Sequence, residues 1–234
     1  VISYEVSVWL TRWFPLLQMS RPVHLDPPGG LRVAVVTTIV PETEPLPMLS
    51  QTLEALVALD YPHDTWVLDE GDDQGVRALC ARLGARHYTR RHRPEHQTAS
   101  GKFMARTKYG NYNSWLDGSD SEGYDCLVAF DTDHVPERDY LLRTLGYFRD
   151  PRVGYVQGPQ VYYNQSTSFV ARGAAEETYD YYSSHQMASY ALGHPIIIRS
   201  HNLHRIAALR PVAAFPTCDA EDPRLTLLVR RQRR

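Results

Sequence analysis

Short apolar runs alternate with helical stripes along this chain, and that alternation limits its fold more than any other feature. The runs are LRVAVVTTIV (31–40), TWVL (65–68), CLVAF (126–130) and VGYVQ (153–157), with ARHYT (85–89) as a shorter candidate. Between them, Leu49, Leu53, Leu56 and Val57 recur at helical spacing, as do Val76, Leu79, Cys80 and Leu83 before a stop at Gly84. Further helices are expected over 109–117, from Pro136 with Leu141, Leu145 and Phe148 facing inward, and over a Tyr-rich stretch at 168–190. Continuous apolar strands separated by helices predict an α/β fold with a mostly parallel sheet covered on both faces. In such sheets ligands bind outside the carboxyl ends of the strands.

The remaining composition narrows the class. The chain of 234 residues is 43% hydrophobic and 22% charged, enough for a sizeable core. A net charge of -2 gives no support for a nucleic-acid partner. The basic run RHYTRRHRPEH (86–96) is read as a solvated loop. Cys80, Cys126 and Cys218 are odd in number and lack metal-site spacing, which points to a reducing compartment. Residues 1–30 are expected to form a membrane-proximal, interfacial segment and linker, and 31–234 a globular domain. In the first segment Trp9, Leu10, Trp13 and Phe14 are interrupted by Glu5, Arg12 and Pro15, too short and too charged a run to span a bilayer. Two readings stand for it: the cytosolic exit of a membrane helix, or a helix packed on the domain.

Chemistry concentrates where strands end. CLVAF runs into Asp131-Thr132-Asp133. In an extended segment residues i and i+2 share a side, so both carboxylates would face one way. That suits a hard divalent cation, which takes one or two protein carboxylates and fills its other positions with water and substrate phosphates. Asp133 could instead cap the helix expected from Pro136. TWVL runs into Asp69-Glu70-Gly71, where a carboxylate can accept hydrogen bonds from a base or ribose, while Asp73 caps the next helix. In TKYGNYNSW (107–115), Lys108 is a candidate phosphate partner, and Asn111 and Asn113 can orient polar ligands. Glu221 and Asp222 stand in the first turn of an expected helix, where the dipole favours them; the functional reading is a general base for an acceptor hydroxyl.

Taken in order, these clusters resemble family 2 glycosyltransferases of the processive branch that includes bacterial cellulose synthase. The matching segments are Asp69-Glu70-Gly71, Lys108-Tyr109-Gly110-Asn111, Asp131-Thr132-Asp133, Gln157-Gly158-Pro159-Gln160 and Ala220-Glu221-Asp222, spread over about residues 31–229. The resemblance implies a GT-A fold and a metal-dependent, inverting transfer from a UDP-sugar, such as UDP-glucose, to a glycan or polysaccharide acceptor. Asp69, Glu70, Lys108, Asn111 and Asp131 would bind the nucleotide sugar. Asp131 and Asp133 would hold Mg²⁺ or Mn²⁺, and Asp222, with Glu221, would be catalytic. Gln157, Gln160, His201 and Asn202 would lie toward the acceptor. It also implies a place at the cytoplasmic face of the cell membrane, through segments flanking the domain. Glu70 replaces the family's second Asp, and Ala220 its Thr. RRQRR (230–234) resembles the family's Q-x-x-R-W segment in composition only, so a C-terminally truncated domain is expected. The competing reading is a relative that binds nucleotide sugar and metal without turnover. A nucleotidyltransferase is disfavoured because TTIVPETEPLP has no basic, glycine-rich grip for a triphosphate. His185, His194, His201 and His204 lack the helical pairing of a histidine metal site.

Overall fold

The fold is taken from a computed structural model that describes residues 2–198, 200–212, 215–216 and 221–231, without the side chains of 8, 11, 12, 15, 221 and 222. Its elements in chain order are α1 (Ile2–Leu16), β1 (Val33–Ile39), α2 (Leu46–Val57), β2 (Asp64–Asp69), α3 (Gln74–Leu83), β3 (Arg86–Tyr88), α4 (Lys108–Asp117), β4 (Cys126–Phe130), α5 (Tyr140–Thr144), β5 (Tyr155–Gln157), α6 (Phe169–Asp180), α7 (Gln186–Ala191), β6 (Asn202–Arg205), α8 (Ile206–Leu209) and α9 (Glu221–Arg231). The chain forms two compact units: a larger one of 25–156 and 197–234, and a smaller one of 1–24 and 157–196.

The larger unit is built on one sheet of order β3-β2-β1-β4-β6-β5. The pairings β1–β2, β1–β4 and β2–β3 are parallel, and β6 runs antiparallel to β4. Alternation along each strand separates two cores, as the twofold side-chain period requires. Ala34 and Val36 of β1, Trp66 and Leu68 of β2, and Leu127 and Ala129 of β4 face α4, α8 and α9, through Tyr112, Trp115, Ile206, Leu209, Leu225 and Val229. Val33, Val35, Cys126, Val128 and Phe130 face the other way, onto Leu56 of α2, Leu141 of α5 and Leu145 in the 3-10 turn that follows it. Leu49 and Leu53 of α2 meet Val76, Leu79 and Cys80 of α3 over Ile39 and Val67. Both helical stripes read from sequence are thus core, and the expected sandwich of helices around a mostly parallel sheet is present.

Local signals account for several helix ends. The Asp73 side chain caps α3 by accepting from the Val76 N–H at 3.0 Å, and Gly84 ends it with a left-handed φ of 75°. Thr107 caps α4 through the Gly110 N–H at 3.1 Å. The helix expected from Pro136 does not begin there: α5 starts at Tyr140 and runs only to Thr144 before a 3-10 turn. The Arg138 carbonyl instead accepts from the Asp60 N–H at 2.8 Å, tying this stretch to the segment after α2. The antiparallel β6 had no apolar run to announce it, since Asn202 and His204 alternate with Leu203 and Arg205.

In the smaller unit the Tyr-rich stretch is helical from Phe169 to Ala191, with a π-helical turn at Tyr181–His185. Ser168 caps it through the Ala171 N–H at 3.0 Å. Residues 2–16 form helix α1, with Trp9, Leu10, Trp13 and Phe14 exposed. No helix among the described residues is long and apolar enough to cross a membrane.

Candidate functional site

The sheet register brings the acidic clusters to one edge. Asp69 ends β2 and pairs with Ile39 of β1; Phe130 ends β4 and pairs with Thr37 of the same strand. The carboxyl ends of β2 and β4 are therefore separated by one strand, roughly 10 Å.

At the β4 end the chain turns immediately, with the His134 N–H donating to the Asp131 carbonyl at 3.2 Å. The two carboxylates converge through this turn rather than through the strand alternation expected from sequence. Asp131 Oδ2 lies 3.8 Å from His134 Nδ1, and Asp133 Oδ1 lies 3.5 Å from His134 Nε2. Asp133 caps no helix. Ser200 Oγ sits 2.6 Å from His134 Nδ1, and the His201 ring lies 3.9 Å from that of His134. Lys108, at the start of α4, forms an ion pair with Asp131. Burial alone would raise the Asp131 pKa. The Lys108 ammonium, His134 and the Ser200 hydroxyl more than offset that and hold it below its ordinary value. Burial, reinforced by His134, pushes His201 down to about 3.

Ligand atoms of Asp131, Asp133 and His134 all lie within 4.8 Å of one another. Two carboxylates and an imidazole are a donor set suited to a hard or borderline divalent cation. Lys108 now supplies the positive charge beside Asp131, and the residues could hold a divalent cation.

The β2 end is organised differently. Asp69 is fully buried and spent inward. Its Oδ1 accepts from the Gly71 N–H at 2.8 Å, and its Oδ2 from the Asp73 N–H at 2.6 Å and lies 3.0 Å from His87 Nε2. Asp69 therefore shapes the 70–73 loop. Asp72, at the turn of that loop with φ 58°, meets Arg77 and lies 2.9 Å from His92 Nε2. Asp69, Asp72 and His87 make the other potential metal-ligand group among the described residues. Glu70 grips Arg90, which is fully buried. Arg90 Nε and Nη2 donate to the two Glu70 oxygens at 2.9 and 2.8 Å, and Nη1 and Nη2 reach the carbonyls of His96, Phe103 and Met104. Glu70 Oε1 also accepts from the Arg106 N–H at 2.8 Å. The 90–106 loop is thus folded around one neutralised guanidinium.

Asn111 Nδ2 donates to the Leu68 carbonyl at 3.1 Å, and its buried Oδ1 finds no partner. Asn113 staples the Lys102 and Phe215 carbonyls, each at 3.0 Å. His201 donates its N–H to the Ala129 carbonyl at 2.9 Å, and Asn202 Oδ1 lies 2.9 Å from His204 Nε2. Gln157 ends β5, its amide donating to the Gly158 carbonyl at 3.0 Å, and Gln160 follows; both belong to the smaller unit. Glu221 and Asp222 open α9 as expected, and their side chains lie outside the described residues. Asp131 and Asp133, read as metal ligands, and Lys108, read as a phosphate partner, lie together, and His201, expected toward the acceptor, packs its ring on His134 in the same corner. Sequence reading missed His134, whose only signal was its position directly after the second Asp, and Ser200, which carried none.

A family model described as "Glycosyltransferase like family 2" matches residues 32–232. The chain belongs to glycosyltransferase-like family 2. Among relatives of this family, the cellulose synthase catalytic subunit [UDP-forming] of Pseudomonas fluorescens (strain SBW25) is 28% identical over 169 residues, covering 70% of this chain and 20% of that protein. Cellulose synthase 2 of Novacetimonas hansenii is 29% identical over 173 residues, covering 70% of this chain and 10% of that protein. The chain thus spans a tenth to a fifth of the length of these relatives. Among solved structures, the mannosyltransferase PcManGT from Pyrobaculum calidifontis, in complex with GDP-Man and Mn²⁺, superposes with a TM-score of 0.66 at 19% identity, covering 93% of this chain and 57% of that one. S. aureus TarS 1-349 gives 0.51 at 13% identity, covering 85% and 55%. This glycosyltransferase-like chain has the fold they share, of GT-A type.

Proposed function

We propose that this domain binds a nucleoside-diphosphate sugar through a divalent cation and transfers the sugar to a glycan hydroxyl. The observation that carries the reading is the Asp131–Asp133–His134 donor set at the carboxyl edge of the sheet, with Lys108 beside it. Its support from relatives is the UDP-forming activity in the cellulose synthase name and the GDP-Man and Mn²⁺ in the mannosyltransferase complex. UDP-glucose or a similar UDP-sugar is the proposed donor.

Asp131 and Asp133 would hold Mg²⁺ or Mn²⁺, with His134 as a third donor. A bound cation would neutralise the charge that develops on the departing diphosphate. Lys108 would exchange its contact with Asp131 for a diphosphate oxygen. Asp69 and Glu70 would serve the nucleotide through the 70–73 and 90–106 loops they fold, with Asn111 behind them. The acceptor oxygen forms its bond to the sugar's anomeric carbon as the bond to diphosphate breaks, with inversion. Asp222 would take the acceptor proton, with Glu221 beside it in sequence; Gln157 and Gln160, and in the larger unit His201 and Asn202, are each proposed to serve acceptor binding. The exposed aromatic face of α1 supports a place at a membrane surface, on the cytoplasmic side where nucleotide sugars occur.

Calorimetric titration of UDP into the protein, with and without Mn²⁺, tests the donor site. Mn²⁺-dependent binding that disappears in the Asp131→Asn/Asp133→Asn double variant is expected. Equal binding in the variant would overturn the assignment, and binding without turnover of any UDP-sugar would identify a non-catalytic relative.

A further inference from the structure

We propose that Glu44 and Thr132 are positioning residues for the cation site, a role that rests on the donor-site reading above. Thr132 stands between the two metal-binding carboxylates and is 3% exposed. Both of its side-chain and carbonyl polar groups are fixed by other elements. Its hydroxyl donates to Glu44 Oε1 at 2.6 Å, and its carbonyl accepts from the Thr52 hydroxyl of α2, itself buried, at 2.6 Å.

Glu44 is anchored in turn. The N–H groups of Thr43 and Glu44 both donate to the Val40 carbonyl at 2.9 Å, closing a tight turn after β1. Glu44 Oε2 accepts from the Val40 N–H at 2.7 Å. That amide lies just past the end of β1. A single carboxylate therefore fastens the end of one strand to the turn that follows its parallel neighbour. A hydroxyl donating to a carboxylate makes a short, charge-assisted bond, stronger than a neutral one. With Thr132 gripped at both ends, the flanking residues cannot rotate independently, and Asp131 and Asp133 stay convergent on His134. Glu44 is outside the ligand group formed by Asp131, Asp133 and His134, and its two oxygens accept from Thr132 and Val40.

Groups that orient metal ligands from behind typically change metal affinity by about 10–100-fold when removed. The test is Mn²⁺ binding to the whole chain without nucleotide, read by the electron paramagnetic resonance signal of free Mn²⁺, beside denaturant unfolding of each variant. Thr132→Val keeps the side-chain shape and removes the hydroxyl; it should weaken Mn²⁺ binding by about 10–100-fold. Thr132→Ser keeps the hydroxyl and should bind as the parent does. Glu44→Ala should lose a similar factor, and the Thr132→Val/Glu44→Ala double variant should lose no more than either single change. Parent-like binding by Thr132→Val and Glu44→Ala, or equal losses in Thr132→Ser and Thr132→Val, would overturn the proposal. So would lowered stability with Mn²⁺ affinity unchanged, which would mark a purely structural bond. Where Thr132→Val does not fold, Glu44→Ala carries the test. Binding that survives Asp131→Asn/Asp133→Asn would instead show that the cation site itself is misplaced, a failure separate from that of Glu44 and Thr132.

Discussion

Arg90 has no exposed surface, and Glu70 is what makes that tolerable. Without its counter-ion the buried guanidinium keeps only neutral carbonyl acceptors against its lost hydration, so removing one partner of such a pair destabilises by about 3–5 kcal/mol. Glu70→Ala is expected to lower unfolding free energy in urea by that amount, and a loss under about 1 kcal/mol, the worth of an exposed pair, would contradict the burial argument. The longer side chain at position 70 is legible in sequence only as a departure from the family pattern; that it reaches a buried arginine depends on where the 90–106 loop folds. His204 is the other buried titratable side chain with consequences. It is fully buried on β6, opposite Leu127 of β4, with Asn202 and the Phe215 ring around it, and burial alone pushes its pKa down to about 3. It stays neutral in the fold while the unfolded chain takes up a proton below about pH 6.5. Its contribution is complete above that pH and is lost as pH falls from about 6.5 toward 3. Relative to His204→Gln, the parent's stability should therefore fall by up to about 1.4 kcal/mol more per pH unit in that window. Parallel stability curves for the two proteins would show that His204 is not buried neutral.

At the scale of elements, α4 illustrates how tertiary packing overrides local propensity. Alanine is the better helix former, yet a Cβ at Gly110 would stand 2.7 Å from Arg90 Nη1 and 2.7 Å from Thr107 Oγ1, with the Met104 carbonyl nearer still. Gly110→Ala should destabilise by roughly 1–3 kcal/mol, the range for overpacking, instead of stabilising. An unchanged or raised melting temperature would contradict the close approach of loop and helix. The strands β1, β2 and β4 and the helices α2 to α4 were legible because apolar spacing, capping residues and Gly84 all point the same way. β6 was not, since its inward Asn202 and His204 break the apolar pattern that marks a strand. The helix expected from Pro136 failed for a related reason: a proline that fits a helix start fits a turn equally well, and the Asp60–Arg138 backbone bond decided between them.

Across the whole molecule, the site's location followed from topology. Parallel strands with continuous apolar runs place their carboxyl ends on one edge, so two acidic clusters far apart in sequence had to become neighbours. What the sequence did not disclose was which carboxylates face outward. Asp69 and Glu70 turn inward to fold loops, while Asp131 and Asp133 converge on His134. Contacts that cross from one loop to another, such as Glu44 to Thr132, leave no periodic trace. The same burial governs reactivity: it raises the thiol of Cys80 to about 11 and that of Cys126 to about 12, so neither should be alkylated by iodoacetamide at neutral pH in the folded protein. Peptide mass spectrometry showing rapid modification at either position would contradict the packed sheet. The most direct measurement is anomalous diffraction from crystals grown with Mn²⁺ and UDP. A peak between Asp131 and Asp133, within ligand distance of His134, is predicted. A peak at Asp69, Asp72 and His87, or none at the β4 end with UDP bound, would contradict the account.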